Sequence, residues 1–399
     1  MTQYTCEFTP RSAAHANFAG ILSEMDGSPI GGLHPAKIGF KTEMLLSKPP
    51  TIVKNIRRLL SNEAIIADDS GSNVTPLAFN VRGIAGMPYQ QSLLATSDGV
   101  QITTLALGNL HSFPVRDMDA DHLWYVYEGR GSCYTDLGWL SYDTGDFIYI
   151  PKNVISYFIP GFLSPSNVLI GIQCENGLRL PAMRPYDNGD TPFNECAMKL
   201  PAPYKDHGPV KVNKVHVRRG GKWSEVEYEH TPFLCVAWKG TSYPFVISAK
   251  KLNFSYVQSI HPDPSNFVLM AAPDASAVVS VLGPRFVHSL PYNHLNEWDE
   301  FLFYAKEYDA RKGSAGGVGD SGTATLHPQG IWHGPQMAAI ENWKRPASPK
   351  DIPWVEDLAI MFETKKPLEL CTDGQSILIP GYEKSWLEGW EEYEARQKK

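Results

Sequence analysis

The chain has 399 residues and a formal net charge of −7, and 43% of its residues are hydrophobic against 20% that are charged. These values exclude a globally disordered chain, and they give no support for a nucleic-acid partner, which favours a basic surface. The 33 glycines and 31 prolines are spread along the sequence, which favours many short strands over a helical bundle.

Localisation signals are the next feature. No stretch approaches the roughly 18 consecutive apolar residues of a membrane helix, and the N-terminus lacks the basic and then apolar pattern of a signal peptide. The six cysteines are scattered without a CxxC pair, which is typical of reduced thiols. The sequence therefore predicts a cytoplasmic protein with no membrane partner.

The first half of the chain begins with a loop-rich segment, in which the apolar and basic run Ile52–Leu60 predicts a helix. From about Val100, short runs rich in aromatic and β-branched residues alternate with turn residues, which indicates antiparallel strands of a sandwich. These runs are Leu123–Tyr127, Ser132–Tyr134, Phe147–Ile150, Val154–Ile159 and Val168–Cys174. The proline-rich segment 181–203 then predicts an arm that crosses a surface.

A second β-rich block begins near Phe245 and, like the first, consists of short apolar runs separated by turn residues. Its predicted strands are Phe267–Met270, Val278–Leu282, Phe301–Tyr304 and Leu358–Phe362, and the two blocks could be diverged copies of one sandwich. The glycine-rich segment 313–322 predicts a loop, and the aromatic spacing within Tyr382–Gln397 predicts an amphipathic closing helix.

The predicted fold is therefore mainly β, with bicupin-like antiparallel β-sandwich or jelly-roll domains and a few peripheral helices. We expect residues 1–250 to form an N-terminal sandwich domain with an extended arm. We expect residues 251–399 to form a cupin-like catalytic domain that ends in the closing helix.

Five of the twelve histidines fall within one short part of the second block, and two pairs have a spacing of six residues. Glu300 follows His294 by six residues, and a straight strand of that length would separate the two by about 20 Å, so the chain must turn between them. We therefore expect His294 in a loop and Glu300 at the start of a strand. His333 follows His327 by six residues, with glycines and prolines that force a bend. The five histidines are His261, His288, His294, His327 and His333.

Clustered histidines beside a carboxylate are the side chains that a transition-metal site needs. Two imidazoles and one carboxylate on one face of a metal leave three positions open, as in non-haem Fe(II) oxygenases. The alternative is that each histidine is a hydrogen-bonded structural residue, which spacing alone leaves open.

The same segment resembles the homogentisate 1,2-dioxygenase family in the order and spacing of its motifs. The resemblance extends from about Met44 to Glu391 and is strongest over residues 258–365. The motifs that carry it are Ile260–Phe267, Pro291–Phe301, Glu307–Arg311, Leu326–His327, His333–Pro335 and Leu358–Glu363.

The resemblance implies a role for each matching residue. His294, Glu300 and His333 would be the Fe(II) ligands, and His261 would be the acid/base residue that takes the phenolic proton. The substrate would be bound by Tyr308, Arg311, Asn296 and His327, the last lying near the iron. A guanidinium can grip a carboxylate through two hydrogen bonds, so we expect Arg311 with Tyr308 to anchor an anionic group of the substrate.

The sequence departs from the family pattern in three ways. Arg311 stands where the family usually has Lys, and Trp332 precedes a ligand where the family has Pro. The segment from Glu300 to Tyr308 is also one residue shorter than expected. These departures concern the ring substituents of the substrate more than the metal.

The resemblance implies an Fe(II)-dependent enzyme of aromatic catabolism that opens the ring of homogentisate, or of a close 2,5-dihydroxyphenyl acid, with O2. Homogentisate would give maleylacetoacetate. The family also implies a homo-oligomer, either a trimer or a hexamer. Two alternatives remain: the same chemistry on gentisate, hydroquinone or another substituted hydroquinone, and a non-catalytic bicupin that binds or stores a ligand.

Overall fold

The computed structural model describes residues 4–5, 21–26, 41–59, 65–67, 74–84, 90–108, 113–164, 166–180, 195–204, 210–254, 266–286, 292–311, 315–342 and 348–398. Strands dominate these ranges, which confirms the prediction of a mainly β protein. None of the helices in this part of the chain combines the length and the apolar character needed to cross a membrane.

The strands of the first 250 residues are short and closely spaced. In chain order they are β1 Tyr4–Thr5, β2 Ile21–Asp26, β3 Lys41–Leu46, β4 Val53–Arg58, β5 Leu77–Asn80, β6 Gln90–Ala95, β7 Val100–Leu107, β8 Val115–Asp117, β9 Asp121–Glu128, β10 Arg130–Thr135, β11 Gly138–Asp143, β12 Asp146–Ile150, β13 Ile155–Pro160, β14 Asn167–Cys174, β15 Lys214–Arg219, β16 Lys222–Tyr228, β17 Cys235–Gly240 and β18 Phe245–Ser248. All five strands predicted between residues 123 and 174 are present.

The remaining strands and the α-helices follow. The strands are β19 Asn266–Ala271, β20 Ala277–Leu282, β21 Arg285–Phe286, β22 Asp299–Tyr304, β23 Thr323–His327, β24 Trp354–Val355, β25 Ala359–Thr364 and β26 Glu369–Leu370. The helices of the described residues are α1 Met337–Asn342, α2 Thr372–Gln375 and α3 Ser385–Gln397. The four strands predicted between residues 267 and 362 and the closing helix are therefore confirmed.

The large sheets give the molecule its architecture. Two have seven strands, in the orders β11-β10-β13-β8-β15-β16-β4 and β18-β12-β9-β14-β7-β6-β26. A six-stranded sheet has the order β19-β20-β25-β22-β23-β5, and a four-stranded sheet has the order β1-β17-β3-β2. Nearly all neighbours are antiparallel; β8 and β15 pair in parallel. This pattern fits the expected antiparallel sandwiches.

The predicted helix at Ile52–Leu60 is wrong, because Val53–Arg58 forms strand β4. This strand pairs antiparallel with β16 at the edge of a seven-stranded sheet. Its residues are exposed, and Arg57 and Lys54 form ion pairs with the acidic residues Glu225 and Glu229 of the other chain segment. The local sequence of apolar and basic residues is compatible with a helix. Hydrogen bonding to a strand that is distant in sequence overrides this local preference.

The predicted start of the second block near Phe245 is also displaced. Strand β18 pairs with β12 and so completes a sheet of the first half. In the predicted arm, residues 181–194 lie outside the described ranges. Its described end crosses between the two seven-stranded sheets, because Lys199 bridges to Val246 and Ala202 bridges to Trp139.

The two halves of the chain exchange strands. Strand β5 pairs with β23 in the six-stranded sheet, and β26 pairs with β6 in a sheet of the first half. A single large hydrophobic cluster contains buried residues from both halves, including Phe79 and Phe301, whose ring centroids are 5.6 Å apart. The division at residues 250 and 251 thus remains a prediction for a chain whose halves share sheets and core.

Candidate metal centre

Three neighbouring strands of the six-stranded sheet place acidic and imidazole side chains in one row. Glu300 on β22 lies opposite His327 on β23 and opposite Glu363 on β25. Residues that face each other across antiparallel strands project from the same face of the sheet. The sheet register therefore brings His327, Glu300 and Glu363 side by side.

His294 and His333 reach this row from two loops that pair with each other. The backbone N–H of His294 donates to the carbonyl of His333 at 2.8 Å, and the reverse bond measures 3.1 Å. The two imidazole rings have centroids 4.4 Å apart. A further bond from the Gly330 N–H to the Asn296 carbonyl, at 3.0 Å, joins the loops. The prediction that His294 lies in a loop and Glu300 in a strand is confirmed.

The three predicted ligand side chains meet at one carboxylate oxygen. Glu300 Oε2 lies 3.0 Å from His333 Nε2 and 3.6 Å from His294 Nε2. One donor atom from each residue lies within 4.8 Å of the others, and this trio is the group of metal-ligating side chains found among the described residues. Glu300 and His333 are buried, at 9% and 2% exposure, while His294 is half-buried.

The hydrogen bonds of His333 test whether a metal fits. Its Nδ1 lies 2.9 Å from the Ile331 carbonyl, which can only accept, so Nδ1 carries a proton. In the neutral ring, Nε2 then presents a lone pair to an oxygen of Glu300. Two acceptors at 3.0 Å require a positive charge between or on them, either a second proton or a cation.

The electrostatics of Glu300 agree with this requirement. Burial alone would raise the pKa of its carboxyl, but the hydrogen bonds and charges of His294 and His333 lower that pKa to about 2. The carboxylate is thus ionised at neutral pH and faces two imidazoles. Two histidines and one carboxylate are a donor set suited to a transition metal, so these residues fit such an ion.

Asn296 was predicted to bind substrate, and the structure places it against Glu300. The Asn296 side-chain amide donates a hydrogen bond to Glu300 Oε1, while Oε2 faces the imidazoles. Because the two oxygens have separate partners, the orientation of the carboxylate is held. Such support of a metal ligand by an outer hydrogen bond is a common feature of metal sites.

Arg311 was predicted to anchor an anionic group of the substrate, and the structure buries its guanidinium to 5% exposure. Nε donates to the Tyr304 hydroxyl at 3.1 Å, Nη1 donates to the Gly334 carbonyl, and Nη2 lies 3.2 Å from His327 Nε2. All three guanidinium nitrogens therefore have partners inside the protein. This arrangement favours a role in positioning the loop of His333 over direct contact with substrate.

His327 lies directly behind His333, one of the predicted ligands. The two rings stack with centroids 4.5 Å apart and an interplanar angle of 10°. Burial, assisted by the charge of Arg311, lowers the pKa of His327 well below its usual value, so the ring is neutral. Its Nε2 also lies 2.9 Å from the Tyr382 hydroxyl, which ties the site to the segment before the closing helix.

Two predicted functional residues remain: Tyr308, which is buried, and His261, which lies outside the described residues. Tyr308 is 7% exposed and stacks on Tyr304 with centroids 5.2 Å apart. Burial raises the pKa of its hydroxyl to about 12. His261, the predicted acid/base residue, lies outside the described residues.

Glu363 is a residue of this site that sequence reasoning missed. Burial, followed by the charge of Glu300, raises the pKa of its carboxyl to about 7. The predicted strand ended at Phe362, one residue before it. An acid within an otherwise apolar strand was the signal that could have drawn attention to it.

A cavity of about 390 Å³ adjoins Glu300 and Glu363. Its volume lies within the range of about 300 to 1,000 Å³ typical of small-molecule sites. The walls combine apolar, amide and carboxyl side chains: Val278, Leu295, Asn296, Glu297, Trp298, Glu300 and Glu363.

Comparisons with known proteins bear on the whole chain. A homogentisate 1,2-dioxygenase of Rhizobium etli (strain CIAT 652) is 28% identical over 281 residues, which cover 66% of this chain and 59% of that protein. The homogentisate 1,2-dioxygenase of Pseudomonas syringae pv. syringae is 25% identical over 374 residues, which cover 90% of this chain and 76% of that protein. This chain thus spans less than two thirds of the Rhizobium protein.

The chain is also similar to solved structures and to a known protein family. A cupin 2 conserved barrel domain protein from Leptotrichia buccalis overlaps with a TM-score of 0.35 and 10% identity, over 75% of this chain and 99% of that one. The family described as homogentisate 1,2-dioxygenase, N-terminal, matches residues 83–248, and the C-terminal description matches residues 251–396. Because both parts match in order over most of the sequence, the chain belongs to the homogentisate 1,2-dioxygenase family.

Proposed function

We propose that this protein is an Fe(II)-dependent dioxygenase that opens the aromatic ring of homogentisate, or of a closely related 2,5-dihydroxyphenyl acid, with O2. Homogentisate would give maleylacetoacetate, with both oxygen atoms of O2 incorporated. The observation that carries this proposal is the meeting of His294, Glu300 and His333 within the segment matched by the family's C-terminal part. The relatives named for this activity support the choice of substrate.

In this proposal His294, Glu300 and His333 hold the metal. The chemistry that Fe(II) supplies in such a site is polarisation of a phenolate and activation of O2. Asn296 keeps one oxygen of Glu300 occupied, so the other oxygen faces the imidazoles. His333 holds its proton at Nδ1 against the Ile331 carbonyl and keeps Nε2 available for the metal.

His261 is proposed as the base that takes the phenolic proton, on the strength of the family resemblance. Replacing it by Ala should leave the metal content unchanged and reduce turnover by about 10² to 10⁴, the usual contribution of general acid–base catalysis. The measurement is single-turnover kinetics beside metal analysis. Turnover near that of the wild type would leave His261 with a structural role only.

One observation favours the alternative of an uncharged hydroquinone. The described charged residues that line the cavity are Glu297, Glu300 and Glu363, while the guanidinium of Arg311 is bound to protein groups. A carboxylate on the substrate would gain nothing from these acids. Neutral hydroquinones are therefore the second candidate substrates, ahead of a non-catalytic role.

The test is oxygen uptake by anaerobically Fe(II)-loaded protein with homogentisate, gentisate, hydroquinone and alkylated hydroquinones. We expect one O2 consumed per substrate, with the highest kcat/KM for homogentisate or a close acid. A preference for uncharged rings would select the alternative. No uptake by protein that holds a full complement of iron would refute the dioxygenase proposal.

Two further parts of the proposal concern the whole protein. We propose a homo-oligomer, either a trimer or a hexamer, on the basis of the family resemblance. Light scattering of the purified protein measures this directly. The cytoplasmic location is proposed from the sequence pattern on the same terms.

A further inference from the structure

Glu363 stands beside the metal centre without being one of its ligands. On β25 it faces Glu300 on one side and Val278, on β20, on the other. Its side chain therefore projects from the same sheet face as that of Glu300, one strand away. It is not part of the group formed by His294, Glu300 and His333.

The contacts of Glu363 leave much of its hydrogen-bonding capacity free. The Ser280 hydroxyl donates to Glu363 Oε2 at 3.2 Å. Within the described residues, no Lys, Arg or His forms an ion pair with it. A half-buried carboxyl without a cation is costly to keep in a strand, and its hydrogen bond with Ser280, which joins β25 to β20, uses only Oε2.

The cavity explains what such a carboxyl can bind. Glu363 lines it together with the apolar side chains of Val278, Leu295 and Trp298. Apolar walls suit an aromatic ring, and a carboxyl in such a wall suits a group that donates a hydrogen bond. A carboxyl keeps an acceptor oxygen whether or not it is protonated, so Glu363 can accept this hydrogen bond in either state.

We propose that Glu363 is a specificity-determining residue that accepts a hydrogen bond from a hydroxyl group on the substrate ring. The proposal rests on the proposed function, since it assigns a contact to the same cavity. The ring hydroxyl points at Glu363, and any carboxylate of the substrate points away from Glu297, because like charges repel.

The test compares ligands that differ only at a hydroxyl. The probes are 2,5-dihydroxyphenylacetate and its two mono-O-methyl ethers, and binding is measured anaerobically by calorimetry to Zn(II)-loaded protein, which does not turn over. A methyl ether cannot donate a hydrogen bond. We expect the wild type to bind the diol about tenfold or more tightly than the ether whose methyl group blocks the hydroxyl that faces Glu363. This difference in affinity is the size expected for a hydrogen bond to a carboxyl group.

Two variants locate that preference. Glu363→Met, which removes the acceptor at similar side-chain length, should abolish the preference and retain full metal content. Glu363→Gln should reduce it, because the amide can also donate to the ether oxygen. Glu369→Met is the matched control: it removes an exposed strand acid outside the cavity and should leave the preference intact.

The outcomes are distinct for the two proposals. An unchanged preference in the folded Glu363→Met variant overturns the assignment of Glu363, even if the protein consumes O2. A preference that depends on Glu363 in a protein that consumes no O2 with any hydroquinone supports the assignment and refutes the dioxygenase proposal.

Discussion

The two carboxylate oxygens of Glu300 contact different side chains, so they have different roles. Asn296 donates to Oε1, and the imidazoles of His294 and His333 face Oε2. The neighbouring acid Asp299 cannot take the place of Glu300 beside the two imidazoles. Asp299 accepts backbone hydrogen bonds from Gln329 at 2.8 Å and from Leu368 at 2.7 Å, so its carboxylate is held away from the trio.

The first prediction at the residue scale concerns metal retention. Replacing His294, Glu300 or His333 by Ala should abolish retention of Fe(II) and leave the circular dichroism spectrum unchanged, because each change removes one of three ligands. Metal analysis after gel filtration measures this. Glu297→Ala is the control and should retain metal. Full iron content in Glu300→Ala would contradict the proposed ligand set.

A second residue-scale prediction concerns Arg311. Replacing it by Met removes the donors that serve Tyr304, Gly334 and His327, so each of these buried groups loses one of its hydrogen bonds. We expect the free energy of unfolding to fall by about 2 to 4 kcal/mol. Catalytic losses should be equal on charged and uncharged rings.

The measurements are denaturant unfolding and steady-state kinetics on both classes of substrate. Arg311→Lys keeps the positive charge but not the planar fork, and we expect an intermediate loss of stability. A rise in KM confined to acidic substrates would instead support the anchor role that the sequence suggested.

At the scale of elements, one buried carboxylate joins strands that are distant in sequence. Asp117 ends β8, which pairs in parallel with β15. Its Oδ2 lies 2.9 Å from His122 Nε2 and 3.1 Å from Arg218 Nη1. Burial alone would raise the pKa of Asp117, but the hydrogen bond and charge of His122, together with Arg218, hold it at about 2.

The element-scale prediction follows from this lowered pKa. Because the folded-state pKa lies below the ordinary value of 3.8, the stabilisation is complete above about pH 3.8 and is lost as the pH falls towards 2. It amounts to about 2 kcal/mol. Asp117→Asn should lower the free energy of unfolding at pH 5 and flatten its decline in acid.

Urea unfolding at pH 5 and pH 3 measures this effect. The control is Asp143→Asn, which changes an acid whose side chain is 54% exposed and whose ion pair with Arg130 measures 3.6 Å. Exposed pairs contribute little to stability, so this variant should follow the wild type. An acid decline as steep in Asp117→Asn as in the wild type would contradict the prediction.

The closing helix also acts at the scale of elements, because it packs behind the candidate metal centre. The Trp386 indole N–H donates to the Gly334 carbonyl at 3.3 Å, next to His333. The Arg311 guanidinium lies 5.8 Å from the centroid of the Trp386 ring. The helix thus packs against the loop that carries His333, while Leu387 and Trp390 remain exposed.

At the scale of the whole molecule, the exchange of β5 and β26 makes the halves depend on each other. Aromatic contacts cross between them as well: the ring centroids of Tyr127 and Phe303 lie 5.2 Å apart. A half expressed alone would expose the shared core and leave sheet edges unpaired.

We therefore predict one cooperative unfolding transition for the full chain. Differential scanning calorimetry should show a single peak, and fragments 1–250 and 251–399 expressed separately should bind a dye for exposed apolar surface. Their co-expression is the control and should reduce that binding. Two well-separated transitions would show that the halves are independent domains.

The sequence by itself determined the mainly β class, nine of the strand positions, the closing helix and the histidine and glutamate residues that meet at the centre. These features are local: alternating apolar residues and turn residues specify a strand wherever it later pairs, and motif order indicates the family. The loop at His294 was also foreseeable, because six residues of straight strand would have kept its side chain too far from Glu300. The loop at His333 was foreseeable because glycines and prolines force a bend after His327.

Only the tertiary structure decided which strands are neighbours. The neighbouring strands in turn decided which residues come into contact, and so the roles of single residues. The run around Val53 became an edge strand because β16 lies beside it. Arg311 became a buried support because Tyr304, Gly334 and His327 converge on its guanidinium. Glu363 entered the site because β25 pairs with β22 in a register that places it opposite Glu300. Register between distant segments depends on contacts across the whole fold, which a local pattern does not specify.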